Sequence, residues 1–176
     1  MWHFGKGLLL SKLNEYKKIG LGGGCHWCTE GVFSSLKGVN IVKQGWIKSD
    51  EKNDSFSEAV IVHYDEREIT LELIVEIHLK THSSTANHSM RSKYRSAVYI
   101  FDENDQLDVE RYIQEFSSNN DQNIITKVLP FVAFRLNDEE FLDYYNKNKE
   151  KPFCKRYIDP KIENIKEHYG SKIIVS

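Results

Sequence analysis

Residues 17–38 read "KKIGLGGGCHWCTEGVFSSLKG", and two periodicities meet inside them. Lys17–Leu21 reads as a short strand that runs into a tight turn at Gly22, Gly23 and Gly24. From Cys25 on, apolar residues at Cys28, Val32, Phe33 and Leu36 recur at helical spacing until Lys37-Gly38 supplies a stop. Cys25 therefore falls where a glycine turn hands over to a helix. The unpaired N–H groups of a first helical turn and the positive end of the helix dipole both favour a thiolate there. A thiolate is the nucleophilic form of cysteine. The three glycines let the backbone take positive φ and approach a substrate closely. The competing reading makes Cys25 one more buried small apolar residue. The clustered Gly, His and Trp count against that, because a packing cysteine needs none of them.

Working outward, Val39–Trp46 is strand-like and a polar turn, "KSDEKNDS", follows. Phe56–Tyr64 alternates, with Phe56, Glu58, Val60, Val62 and Tyr64 on one face and Ser57, Ala59, Ile61 and His63 on the other. "REITLELIVEIHLKTH" predicts a helix with Ile69, Leu73 and Ile77 in its buried stripe. A polar loop, "SSTANHSMRSK", leads into the β-rich "YRSAVYIF". "ENDQLDVERYIQEF" reads as a helix and "NIITKVLPFV" as a strand broken by Pro130. "NDEEFLDYYNKN" opens on an N-cap candidate at Asn137 or Asp138, and "KIENIKEHY" is a last short helix. The order β-α-β-β-α-β predicts an α+β fold, a two-layer α/β sandwich with a ferredoxin-like mixed sheet core plus a C-terminal tail.

Glu58 shares its strand face with apolar neighbours. An unpartnered carboxylate on that side is penalised by desolvation, holds its proton and can act as a donor. The alternative places it at a solvated strand edge.

The chain has 176 residues, 40% hydrophobic and 28% charged. That length predicts one domain, 1–176, with a core over about 17–147 and a tail over about 148–176. A net charge of −2 with no basic block argues against nucleic acid as a partner. Near the N-terminus, the run Leu8, Leu9, Leu10 is too short for a signal segment, and no later stretch is long enough to span a membrane. The expectation is a cytoplasmic protein whose three cysteines stay reduced, with chemistry rather than a disulfide framework as their purpose.

Cys25 and Cys28 also have the C-x-x-C spacing of a thiol–disulfide oxidoreductase, or of half a zinc clamp. Structural zinc wants a second close pair, whereas Cys154 and His168 stand far apart in sequence, so no metal is expected. His78 and His82 lack the glutamate of an H-E-x-x-H site and read as satisfied histidines.

Taken together, Gly24-Cys25-His26-Trp27-Cys28-Thr29-Glu30, Leu36-Lys37-Gly38-Val39, Ser57 through Asp65, Ile69 through His78 and Ser92-Lys93-Tyr94-Arg95-Ser96-Ala97-Val98-Tyr99 stand in one order. With Lys147-Asn148 through Pro152-Phe153-Cys154, they make the chain resemble the peptide methionine sulfoxide reductase A family, from about residue 17 to 157. The resemblance implies reduction of methionine S-sulfoxide, protein-bound or free. Cys25 would be the nucleophile, Glu58 the proton donor, and Tyr94 a hydrogen-bond partner of the sulfoxide oxygen. Trp27, His26 and Trp46 would line the substrate pocket. Cys154 is implied as the resolving thiol, from a mobile tail, with Cys28 as a second candidate. No bound cofactor is implied, and thioredoxin, or dithiothreitol in vitro, would be the reductant. The departures are His26 for the family's Phe, Trp46 for Tyr, Ser89 for Asp and Arg91 for Gly, and the family's Glu-Asp-Tyr-His is absent. A binder of oxidised-methionine peptides without turnover is the remaining alternative.

Overall fold

A computed structural model describes residues 16–175; the Leu8–Leu10 run lies outside them. A six-stranded mixed sheet is built from β1 (Lys17–Gly22), β2 (Val39–Lys48), β3 (Ser57–Tyr64), β4 (Ala97–Ile100), β5 (Lys127–Pro130) and β6 (Ala133–Leu136). Its order is β5-β4-β1-β3-β2-β6. The central four, β4-β1-β3-β2, pair antiparallel, β5 adds parallel to β4 and β6 antiparallel to β2. This is the ferredoxin-like arrangement anticipated from the element order, widened by one strand at each edge. The helices are α1 (His26–Ser34), α2 (Leu71–Thr81), α3 (Gln106–Asn120), α4 (Tyr144–Lys147) and α5 (Asp159–Tyr169).

The main core lies on the face of Ile19, Leu21, Val60, Val62 and Val98, beneath Val32, Phe33, Ile74 and Ile77 from α1 and α2. A smaller cluster of Ile47, Ala59, Ile61, Ala97 and Tyr99 covers the opposite face. β3, flanked on both sides, is therefore buried almost throughout rather than on alternate residues, as a central strand covered on both faces must be.

Two expectations change. "NDEEFLDYYNKN" is no single helix. Its N-terminal part makes a 3-10 turn, Glu139–Phe141, and α4 restarts after Asp143, whose φ is 53°. The buried Glu30 carboxylate accepts the Asp143 and Tyr144 N–H groups, each at 3.0 Å, and so fixes where the helix begins. Nor is the Cys154 segment shown as a loose tail. Residues 154–158 form a π-helical turn leading into α5, and Ile158, Ile162 and Ile165 join the main core.

The turn between β1 and α1 has one demanding position. Gly23 has φ +143°, the only positive φ among its three glycines, and a Cβ there would strike the His82 imidazole. Gly23→Ala is expected to cost about 2 kcal/mol or more, read as a lowered urea midpoint with an unchanged m-value.

Candidate active site

Three strand ends converge at the C-terminal end of β1. Gly22 pairs with Ala59 and Ala97, and Trp46 pairs with Glu58. The glycine turn leaves this point and delivers Cys25 as the N-cap residue of α1. The Cys25 carbonyl accepts the N–H of Cys28 at 3.1 Å and of Thr29 at 3.2 Å. The thiol stands at the open start of the helix, half-buried. It is lowered to about 7, chiefly because the Cys28 thiol donates a hydrogen bond to its sulfur. Burial opposes this, the N–H groups of Cys28 and Trp27 reinforce it, and the charge of Glu58 works against it. Cys28 is pushed up in exchange, by its bond to Cys25 and by burial, with Cys154 adding to the rise. Of this pair, then, Cys25 is shifted toward the thiolate and Cys28 toward the protonated thiol.

Glu58 is 7% exposed, on the buried side where the strand pattern placed it, but it is not unpartnered. Its Oε2 accepts the His26 backbone N–H at 3.2 Å and lies 3.8 Å from His26 Nε2. Its Oε1 lies 3.6 Å from Lys93 Nζ. Tyr94 is brought beside it by a staple between the 93–95 segment and β3. The Lys93 carbonyl accepts the Glu58 N–H at 2.9 Å and the Ser57 hydroxyl at 2.9 Å, and Ser57 Oγ in turn accepts the Arg95 N–H at 2.7 Å. The Lys93 ammonium also sits 5.1 Å from the Tyr94 ring centre, and its pKa is raised first by a hydrogen bond with Tyr94 and then by the charge of Glu58.

The aromatic wall is His26, Trp27 and Trp46. His26 meets Trp46 edge-on at 5.3 Å and Trp27 at 6.3 Å. Arg135 covers the Trp46 ring at 4.8 Å. Tyr144 stacks on Trp27 at 4.1 Å and 6°, with Phe153 edge-on at 5.8 Å. Trp27 is therefore packed by Tyr144 on one face, with Phe141 also stacked on it at 6.1 Å. Cys154 sits with no exposed surface in the main core, against which Cys28 also packs.

Three residues carry more of the site than the sequence reading gave them. Glu30, besides its two N–H acceptances, receives Gln44 Nε2 at 3.0 Å and so holds Tyr144 over Trp27. Arg91 donates to the carbonyls of Gly23, Tyr94 and Ala86 within 2.9 Å, tying the catalytic turn to the Tyr94 loop. Lys93 bridges Tyr94 and Glu58. A charged residue in an otherwise matching motif was the available signal for Lys93 and Arg91. His82, lowered to about 4 chiefly by burial, and His78, stacked 4.2 Å away, are neutral supports beneath the glycine turn. Among the described residues no three His, Cys, Asp or Glu side chains gather as a metal site.

A lowered thiol at a helix start, close enough to a buried carboxyl to feel its charge, with the rings of His26, Trp27 and Trp46 beside them, is the arrangement of a cysteine-dependent enzyme site. The family model "Peptide methionine sulfoxide reductase" matches residues 17–173, and the chain belongs to that family. The peptide methionine sulfoxide reductase MsrA of Sulfolobus acidocaldarius is 32% identical over 166 residues, which cover 86% of this chain and 94% of that one. Mxr1 from Saccharomyces cerevisiae in its reduced form superposes with TM-score 0.68 at 21% identity, covering 78% of this chain and 88% of that one. Mxr1 in complex with Trx2 gives TM-score 0.56 at 21% identity, covering 74% and 86%.

Alkylation of Cys25 by iodoacetamide should rise with pH around a midpoint of about 7. Deprotonation makes the nucleophile, so the rate climbs as pH passes that value. Cys28→Ala removes the donated hydrogen bond and should move the midpoint upward, with slower alkylation at neutral pH.

Proposed function

We propose that Cys25, Glu58 and Tyr94 are the groups with which this chain reduces methionine S-sulfoxide, and that Cys28 and Cys154 regenerate the thiol in that order. The observation that carries the reading is the Cys25 thiolate at the start of α1 with Glu58 one strand away. Cys25 Sγ attacks the sulfoxide sulfur while Glu58 gives one proton to the oxygen and Tyr94 hydrogen-bonds it. Thiolate, sulfoxide and one proton yield a thioether and Cys25 sulfenic acid; Cys25 sulfur loses two electrons and the substrate sulfur gains them. His26, Trp27 and Trp46 receive the S-methyl group.

The sulfenic acid is the reversible rung of cysteine oxidation, and a thiol condenses with it to a disulfide and water. Cys28 lies one helical turn from Cys25, and its thiol has the largest influence on the Cys25 sulfur, so we assign it that step. Cys154, in the same packed cluster, exchanges next: its thiolate attacks Cys28 sulfur, forms Cys28–Cys154 and releases Cys25. A dithiol then reduces that disulfide by two exchanges. Thioredoxin is the proposed dithiol, supported by the likeness to Mxr1, which has been solved in complex with Trx2. Among the described residues no helix is long and apolar enough to cross a membrane, which fits the proposed cytoplasmic setting of one catalytic domain.

With dithiothreitol as reductant, wild type should reduce the S epimer of a methionine sulfoxide peptide and leave the R epimer. Cys25→Ser should abolish turnover, and Glu58→Gln should slow it about 100-fold or more, the range of a lost general acid. Activity surviving in Cys25→Ser refutes the assignment. After one equivalent of substrate, Cys154→Ser should hold a Cys25–Cys28 disulfide by non-reducing peptide mapping. Cys28→Ser should instead accumulate a sulfenic acid that dimedone traps. Full thioredoxin-driven turnover in Cys28→Ser refutes the order.

A further inference from the structure

The imidazole of His26 stands where the family pattern has an apolar ring, and its two nitrogens face different partners. Nδ1 lies 3.0 Å from the Gly45 carbonyl oxygen. A carbonyl only accepts, so Nδ1 carries a hydrogen whatever the charge of the ring. That fixes the tautomer and leaves Nε2, in the neutral ring, as a bare lone pair. Nε2 is 3.8 Å from Glu58 Oε2, and the two side chains are 6% and 9% exposed. Both carboxyl oxygens already face a donor: Oε1 has Lys93 Nζ and Oε2 has the His26 backbone N–H. His26 Nε2 is thus a basic atom beside Glu58 Oε2 that no donor among the described residues occupies, 3.8 Å away.

We propose that His26 is a positioning residue for the acid: with Nδ1 pinned by Gly45, its Nε2 stores the proton that Glu58 passes to the sulfoxide oxygen. The proposal rests on the assignment of Glu58 as proton donor. The reaction consumes one proton per sulfenic acid formed. In the loaded state Nε2 carries that proton. As the two side chains close from 3.8 Å to hydrogen-bond distance it passes to Glu58 Oε2 and then to the oxygen leaving the substrate sulfur, after which the Nε2 lone pair is restored.

The surroundings suit this use. The charged or titratable groups facing the ring are Glu58 from β3, with Lys93 behind it; Arg135 from β6, on the ring of Trp46 that meets His26 edge-on; and Cys25 on its own turn. The lowering of Cys25 comes from Cys28 and from backbone N–H groups, so the thiolate has its own support and the imidazole is left to the acid.

The test is single-turnover reduction of a dabsylated methionine S-sulfoxide by pre-reduced enzyme, from pH 5.5 to 8.5, in wild type, His26→Phe and His26→Gln. His26→Phe keeps a ring; His26→Gln keeps hydrogen-bonding capacity but cannot store a proton. Both should lose about 100-fold in the chemical rate where the wild-type ring holds its proton, the general-acid range. The loss should shrink toward unity at pH 8.5, where a neutral ring stores nothing, and the fall in rate should exceed any change in apparent substrate affinity. Thiolate absorbance at 240 nm should titrate as in wild type. Wild-type rates in His26→Gln at every pH, or a loss equal at every pH, would show that the ring only packs. A shifted thiolate titration would move its role to Cys25. Wild type that leaves the sulfoxide untouched refutes the underlying activity instead.

Discussion

The backbone at Gly23 passes directly over the imidazole of His82, and the position of Cys25 follows from that crossing. His82 is held from two sides, by the His78 carbonyl at Nδ1 (2.5 Å) and Ser96 Oγ at Nε2 (2.8 Å), and Ser96 is tied on to Thr126. The floor of the turn thus belongs to α2, β4 and the segment entering β5. From above, Arg91 donates to the Gly23 carbonyl. With the turn gripped on both sides, the chain leaves Gly24 in the direction that makes Cys25 the N-cap of α1. A side chain at position 23 would lift the backbone off its floor, and the sulfur would move with it. The thiolate's advantages, N–H groups and a donor one helical turn on, are local to that helix start and vanish if it shifts.

The acid half of the site is set by a different constraint. Glu58 is fixed by sheet register, opposite Trp46 on β2, and by the Ser57 staple that fastens Lys93 and Tyr94 to the same strand. Cys25 therefore comes from a turn and Glu58 from a strand, and the two meet because β1 and β3 are neighbours. Such a division gives precise placement without a rigid loop: the strands carry the acid and the aromatic wall, and the helix start carries the nucleophile.

Much of this was readable in the sequence because it is local. The glycine-to-helix switch placed Cys25 at the start of a helix, and the alternation in Phe56–Tyr64 put Glu58 on the buried side. The element order gave the ferredoxin-like centre of the sheet. What the pattern could not show were partners distant in sequence. Glu30 looked like one more residue on α1, yet it sets the start of α4 more than a hundred residues later. Lys93 and His26 gave no sign that they would converge on Glu58, because strand alternation reports burial and says nothing of who shares it. The tail looked mobile from its lysines and prolines. Its isoleucines, at helical spacing, pack into the core instead and take Cys154 with them.

Burial of Cys154 gives the proposed relay a direction. Cys25 is half-buried, Cys28 lies one helical turn on and packs against the core, and Cys154 lies within it. In the proposed order, oxidising equivalents that enter at Cys25 would move inward, which would free the nucleophile before any external dithiol acts. On the proposed order the final disulfide would join α1 to the turn ahead of α5, two elements that already pack together through Trp27, Tyr144 and Phe153 and through the core around Val32 and Ile158.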